Sequence, residues 1–183
     1  DEGASESSTI KMNPEKLKVM FDQLLKEIQD RLQSEMGDLL GSSISLSDLE
    51  NGFVTKESFF EGVGTDCQVI CGMVVVGDLQ GMWHFGLSRK DAIHLGGTLI
   101  MLPPAELEGA VQREDYGEDA KDAYGEIANI AAGVYTAIFE ESFVKKVRFI
   151  RKELVEVQPN EVDIPSNSPF PDQKYYKSSL SLV

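Results

Sequence analysis

The chain has 183 residues, 42% of them hydrophobic, and its 31 acidic residues against 17 basic ones give a net charge of -14. That length suits one domain, and the acidic balance argues against nucleic acid or an anionic membrane as partner, since both are bound through basic patches. No apolar run approaches the roughly 20 residues that span a bilayer and no charged-then-apolar signal opens the chain, so a cytoplasmic protein is expected.

Residues 1–12 are polar, small and without periodicity, and are expected to be a disordered lead-in to a single domain over 13–183. Asn13-Pro14-Glu15 opens a helix, with Asn as N-cap and Pro at the first position. Leu17, Met20, Phe21, Leu24, Leu25, Ile28 and Leu32 recur at helical spacing, which predicts a helix over 14–36, stopped near Gly37. Strand patterns follow over 43–47 and 53–60, then over 66–77 and 81–87. The last two are joined by Gly77-Asp78-Leu79-Gln80-Gly81 as a hairpin.

Cys67 and Cys71 lie on the third of these strands. Four residues apart, they are separated by about 13 Å along a strand, too far for a disulfide, so buried thiols are expected. The two histidines, His84 and His94, match no metal-ligand spacing. Trp83 and His84 read as core or contact residues. Ser88 caps a second helix over 89–101, ended by Pro103-Pro104. An acidic stretch then leads into a long helix over 119–141, followed by a strand over 145–157. A proline-rich loop covers 158–173. A last strand pattern over 174–183 is still running at Val183, which leaves room for a further strand beyond it.

The long helix is where candidate chemistry is expected. At 100° per residue, Ala123, Ile127, Ile130, Ala131, Val134 and Ile138 form a core-facing stripe. Asp122, Glu126, Asn129, Gly133, Thr136 and Glu140 share the opposite side within about 80°. Gly125, Gly133 and Thr136 are weak helix formers, and each glycine costs about 1 kcal/mol against alanine. An ordinary solvated face with incidental glycines is the plain explanation. The functional one is a low platform that a partner's backbone can approach, with Glu126 and Asn129 as its tallest groups. Asparagine offers both a donor and an acceptor, so it can orient a water without repelling an anionic phosphoryl group. A general acid/base pair of Asp122 and Glu126 is the weaker enzymatic alternative, because no concave pocket or nucleophile is legible beside it.

Asp122-x-x-x-Glu126-x-x-Asn129, with Ile127, Ile130 and Ala131-Ala132-Gly133, resembles the signature of the CheC/CheX family of chemotaxis phosphatases. The resemblance implies an α+β, CheC-like fold, with long helices packed on an antiparallel sheet and an internal duplication of the αβββ type. A weak echo supports the duplication: Glu27-Ile28-Gln29-Asp30 repeats the pattern of Glu126-Ile127-Ala128-Asn129. In the first copy Gln23 and Asp30 depart from the motif, so one complete motif makes the chain more like CheX, for which a homodimer is expected. The family's later proline is expected near position 152, where Lys152 stands; the next proline is Pro159.

The resemblance further implies a partner, a phosphorylated response regulator of the CheY type, whose aspartyl phosphate would be hydrolysed in chemotaxis or two-component signalling. Glu126 and Asn129 would be catalytic, and Asp122, Gly133 and Thr136 would contact the partner. The chain would need no cofactor of its own, the regulator supplying Mg²⁺. A non-catalytic adaptor that binds a regulator, or resembles a flagellar switch component, is the alternative.

Overall fold

A computed structural model describes residues 13–143 and 146–183. The expected disordered lead-in therefore lies outside the described residues, as does Lys145, the first residue of the strand expected over 145–157. Helix α1, Pro14–Leu40, begins as expected, with the Asn13 side chain accepting from the Glu15 amide at 3.0 Å. It continues past Gly37 and ends at Gly41, whose φ of 62° is the left-handed value that closes a helix. The stop is set by that backbone conformation, which Gly37 does not adopt.

Strand β1, Leu46–Thr55, is followed by helix α2, Lys56–Val63, where a strand was expected as far as residue 60. A capping box overrides the strand-like aromatics: Thr55 Oγ1 accepts from the Ser58 amide and Ser58 Oγ accepts from the Thr55 amide. Strands β2, Gln68–Gly77, and β3, Gly81–Ser88, form the expected hairpin. Helix α3, Arg89–Leu99, is capped by Ser88. Pro103-Pro104 ends that helical stretch but also opens helix α4, Pro104–Arg113, which was not anticipated; proline suits a first helical position as well as it stops a helix. The long helix α5, Glu118–Phe143, precedes strand β4, Val147–Val157, a short turn at Pro159–Glu161, and strand β5, Lys174–Leu182.

The strands form two antiparallel sheets, β3-β2-β4 and β1-β5. On β2, Val69, Cys71, Met73 and Val75 face the helices, while Ile70 faces a second cluster with Phe60, Val157 and Phe170. Helices α1 and α5, which carry the repeated Glu-Ile pattern, pack antiparallel over the first face. Phe21 meets Phe139 at one end, and Met36 clusters with Tyr124 and Ile127 at the other. The fold is thus α+β, with long helices on an antiparallel sheet. Both cysteines are free and buried, and burial pushes their thiols up. No helix among the described residues is long and apolar enough to cross a membrane.

The proline-rich loop between β4 and β5 is held by a lysine. Lys56 is fully buried, and its ammonium donates to the carbonyls of Asp163, Ser166 and Ser168 at 3.1, 2.8 and 2.9 Å. Phe170 of the same loop stacks on Phe60, with ring centroids 5.6 Å apart. Lys56→Met keeps the stem's packing but strands three acceptors. It is expected to cost about 3 kcal/mol and to lower Tm by roughly 6–12 °C, measured by thermal melting with the α-helical signal as readout.

Candidate functional site

The apolar stripe of α5 is buried as its periodicity predicts: Ala123, Ile127, Ala131, Val134 and Ile138 are each at most 5% exposed, and Ile130 is partly buried. The remaining face is thereby turned outward. Asp122, Glu126, Asn129, Gly133 and Glu140 are exposed. Glu126 and Asn129 are three apart, which puts their Cβ atoms about 5–6 Å from each other. Among the described residues neither makes a side-chain hydrogen bond or ion pair, nor does Asp122, so all three are free to meet a partner.

Thr136 is placed differently from its neighbours on the stripe. Its hydroxyl donates to the Ala132 carbonyl at 2.9 Å and accepts from the Phe149 amide at 3.1 Å, tying α5 to β4. The two glycines also separate. A Cβ on Gly133 would meet nothing within 4 Å beyond its own helix, so packing gives no reason for a glycine there. A Cβ on the buried Gly125 would lie 3.1 Å from Nη1 of Arg151, so this glycine lets a guanidinium from β4 rest against the helix.

The corresponding stripe of α1 is occupied by the protein itself. Glu27 accepts hydrogen bonds from Ser142 and, at 3.5 Å, from Gln23, while Asp30 pairs with Lys26 at 3.0 Å. Of the two echoing segments, only that of α5 is complete in sequence and unengaged.

A concavity lies beside the exposed stripe, which sequence patterning did not show. A groove of about 890 Å³ is lined by Asp119, Lys121, Asp122, Gly125 and Glu126 on the helix, by Arg151, Glu153 and Glu156 on β4, and by Ile100 and Tyr116 among others. Burial pushes the Tyr116 phenol up to about 12, so it stays neutral, and its hydroxyl has no hydrogen-bond partner among the described residues. The groove is open and predominantly acidic at its rim, and it presents no residue activated as a nucleophile. At one end Arg89 binds Glu114 at 2.5 Å and Glu156 at 3.5 Å, and the Arg89 guanidinium holds the Glu114 carboxyl below its ordinary range. No group of three or more acidic, cysteine or histidine residues that could hold a metal occurs among the described residues. His84 packs against Phe170 and Tyr175, and Trp83 against Tyr135, Phe139 and Phe149, away from the stripe.

No family model matches the chain, and no curated protein matches it. Solved structures do. FliY from Thermotoga maritima superposes with a TM-score of 0.75 at 15% identity, over 95% of this chain and 85% of that one. The FliM middle domain from H. pylori gives a TM-score of 0.67 at 12% identity, over 94% and 86%. FliM in a FliG–FliM complex from H. pylori gives 0.65 at 11%, over 94% and 87%. These likenesses establish the CheC-like fold shared with FliY and FliM; they do not single out a CheX-like chain.

The contrast between the two glycines is measurable. Gly133→Ala fills open space in a helix interior and is expected to stabilise the fold by up to about 1 kcal/mol, or roughly 2–4 °C in Tm. Gly125→Ala should gain less, because the Arg151 guanidinium must move aside. Parallel thermal melts of the two variants check the difference.

Proposed function

We propose that the chain is a phosphatase of a CheY-type response regulator, with Glu126 and Asn129 as its catalytic pair. The observation that carries this is the exposed, unengaged pair on the outer face of α5, flanked by Gly133, for which the fold offers no packing reason. The CheC-like fold is the background on which the motif is expected to sit at such a surface.

In the reaction a water oxygen bonds to phosphorus while the bond from phosphorus to the aspartyl oxygen breaks. The aspartyl phosphate dianion and water become the free carboxylate and dihydrogen phosphate. Both water protons end on the released phosphate, so no separate base on this chain is required. The Asn129 amide, presented at the partner's phosphoryl group, accepts from and orients the attacking water. Glu126 pairs with a cation of the regulator and fixes the docking angle. Mg²⁺, held by the regulator, would supply charge neutralisation. The contribution of this chain is positioning, which suits phosphoryl transfer. The acidic groove rim disfavours free anions, so phosphate reaches the site attached to a docked protein and leaves readily once released.

The adaptor alternative draws on the likeness to FliM, one structure of which is a FliG–FliM complex. An adaptor would use the same face to dock without turnover. A receiver domain phosphorylated with acetyl phosphate and left to decay with and without this protein separates the two. Acceleration supports the phosphatase, and binding without acceleration supports the adaptor.

Asn129→Ala is expected to slow the accelerated decay about a hundredfold or more, roughly 2.7 kcal/mol of barrier, while binding persists. Asp30→Ala, on the self-engaged stripe of α1, should leave the rate nearly unchanged. Unaltered turnover in Asn129→Ala would sink the assignment of that residue.

Gly133→Gln tests the docking face itself. The side chain enters open space, so the fold should hold, but it rises one turn from Asn129. If α5 lies against the regulator, a displacement of about 1 Å costs about a hundredfold in rate. A folded Gly133→Gln protein with full phosphatase activity would show that the stripe does not dock.

A further inference from the structure

Beside the polar stripe lies a cation that the motif does not contain. Strand β4 carries a bulge: Cys71 pairs with Leu154 and Met73 with Arg151, so Lys152 and Glu153 together oppose Gly72. The extra residue falls where the family's proline was expected, and Arg151 immediately precedes it. β4 is an edge strand of its sheet, and Arg151 is exposed. Its guanidinium rests against the bare backbone of Gly125, where a Cβ would come within 3.1 Å of Nη1. In a protein with 31 acidic residues, Arg151 has no carboxylate within 4.0 Å among the described residues. Yet it lines the same groove as Asp122 and Glu126.

The helix wheel places this cation. Gly125 and Asn129 are four apart and stand one above the other on α5, about 5–6 Å between side-chain origins. A guanidinium over Gly125 is therefore one turn from Asn129, on the flank of the stripe that faces β4. Its five donors form a planar fork suited to phosphoryl oxygens, and no side-chain or carbonyl acceptor among the described residues occupies them.

We infer that Arg151 is a third functional side chain of this face, contacting the phosphoryl oxygens of the docked regulator beside Asn129 and stabilising the charge that develops on them during transfer. This rests on the phosphatase proposed above and extends it. Glu126 anchors the partner, Asn129 orients the water, and Arg151 neutralises the phosphoryl group from the β4 side. Because Arg151 comes from another element, a sequence motif confined to α5 cannot contain it.

The test has a kinetic and a binding arm, both with the full chain. In the first, Arg151→Gln, Arg151→Lys and Arg151→Ala are compared with wild type on an acetyl-phosphate-charged CheY-type receiver. The expected result is a ten- to thousandfold fall in kcat for Arg151→Gln and Arg151→Ala with little change in KM. Arg151→Lys should recover part of the loss, and added guanidinium chloride at millimolar concentration should restore part of the Arg151→Ala rate, which a role in folding alone would not allow. In the second arm, affinities for the beryllofluoride-loaded and the unphosphorylated receiver are measured. Wild type should prefer the loaded form by about tenfold or more, and Arg151→Gln should lose that preference. If wild type binds the loaded form preferentially but accelerates nothing, the phosphatase fails, and the second arm still decides whether Arg151 reads the phosphoryl group. Wild-type kcat together with wild-type preference in Arg151→Gln overturns the inference.

Discussion

Burial of one face of α5 against β2, β4 and α1 is the constraint from which the exposed stripe follows. Ala123, Ile127, Ala131, Val134 and Ile138 are withdrawn from water, and Tyr124, Tyr135 and Phe139 with them. At about 1.5–3 kcal/mol for each large apolar side chain, the gross gain is on the order of 10 kcal/mol. That outweighs the roughly 1 kcal/mol which each of Gly125 and Gly133 costs as a helix residue. The helix can therefore keep a low outer face. Its rotation is not free either, because Thr136 is hydrogen-bonded on both sides, to Ala132 within α5 and to Phe149 on β4. Asn129 and Glu126 are presented to solvent because the opposite face has nowhere else to go.

The two long helices share a short sequence pattern and end in different surroundings. They run antiparallel, so the C-terminal end of α5 reaches the first half of α1. Ser142 there bonds Glu27, and Glu141 pairs with Arg31 at 2.9 Å. The N-terminal half of α5 faces no such neighbour on its outer side and instead borders the groove toward β4. The stripe of α1 is thus closed by contacts from the C-terminal end of α5.

Electrostatics sharpen the same asymmetry. Arg89 is committed to Glu114 and Glu156, Lys26 to Asp30, and Lys18 to Asp22 at 2.7 Å. Arg151 is held against Gly125 without a carboxylate partner among those described, inside a groove rimmed by Asp119, Asp122, Glu126 and Glu153. With two cations, Lys121 and Arg151, among five carboxylates the groove is net negative, and that field repels small free anions at long range. Under the proposed function, such an arrangement would favour a phosphorylated protein over free phosphate.

Local pattern was enough to read the α5 motif, the starts of α1 and α3 and the β2–β3 hairpin, because caps, helical spacing and turn residues act within a few neighbours. Asn13, Ser88 and the apolar spacing of residues 123–138 carried those elements in the sequence itself. The same local rules failed at residues 56–63, where a capping box turned a strand-like stretch into α2, and at Pro104, which opened α4. Other features depended on distant parts of the chain. Lys56 became a clamp for a loop more than a hundred residues away. Glu27 was engaged by Ser142, and the β4 bulge set Arg151 against Gly125. Spacing along one helix determines which residues share a face, but only the packing of helix against strand decides which of those faces stays open and what charge is brought beside it.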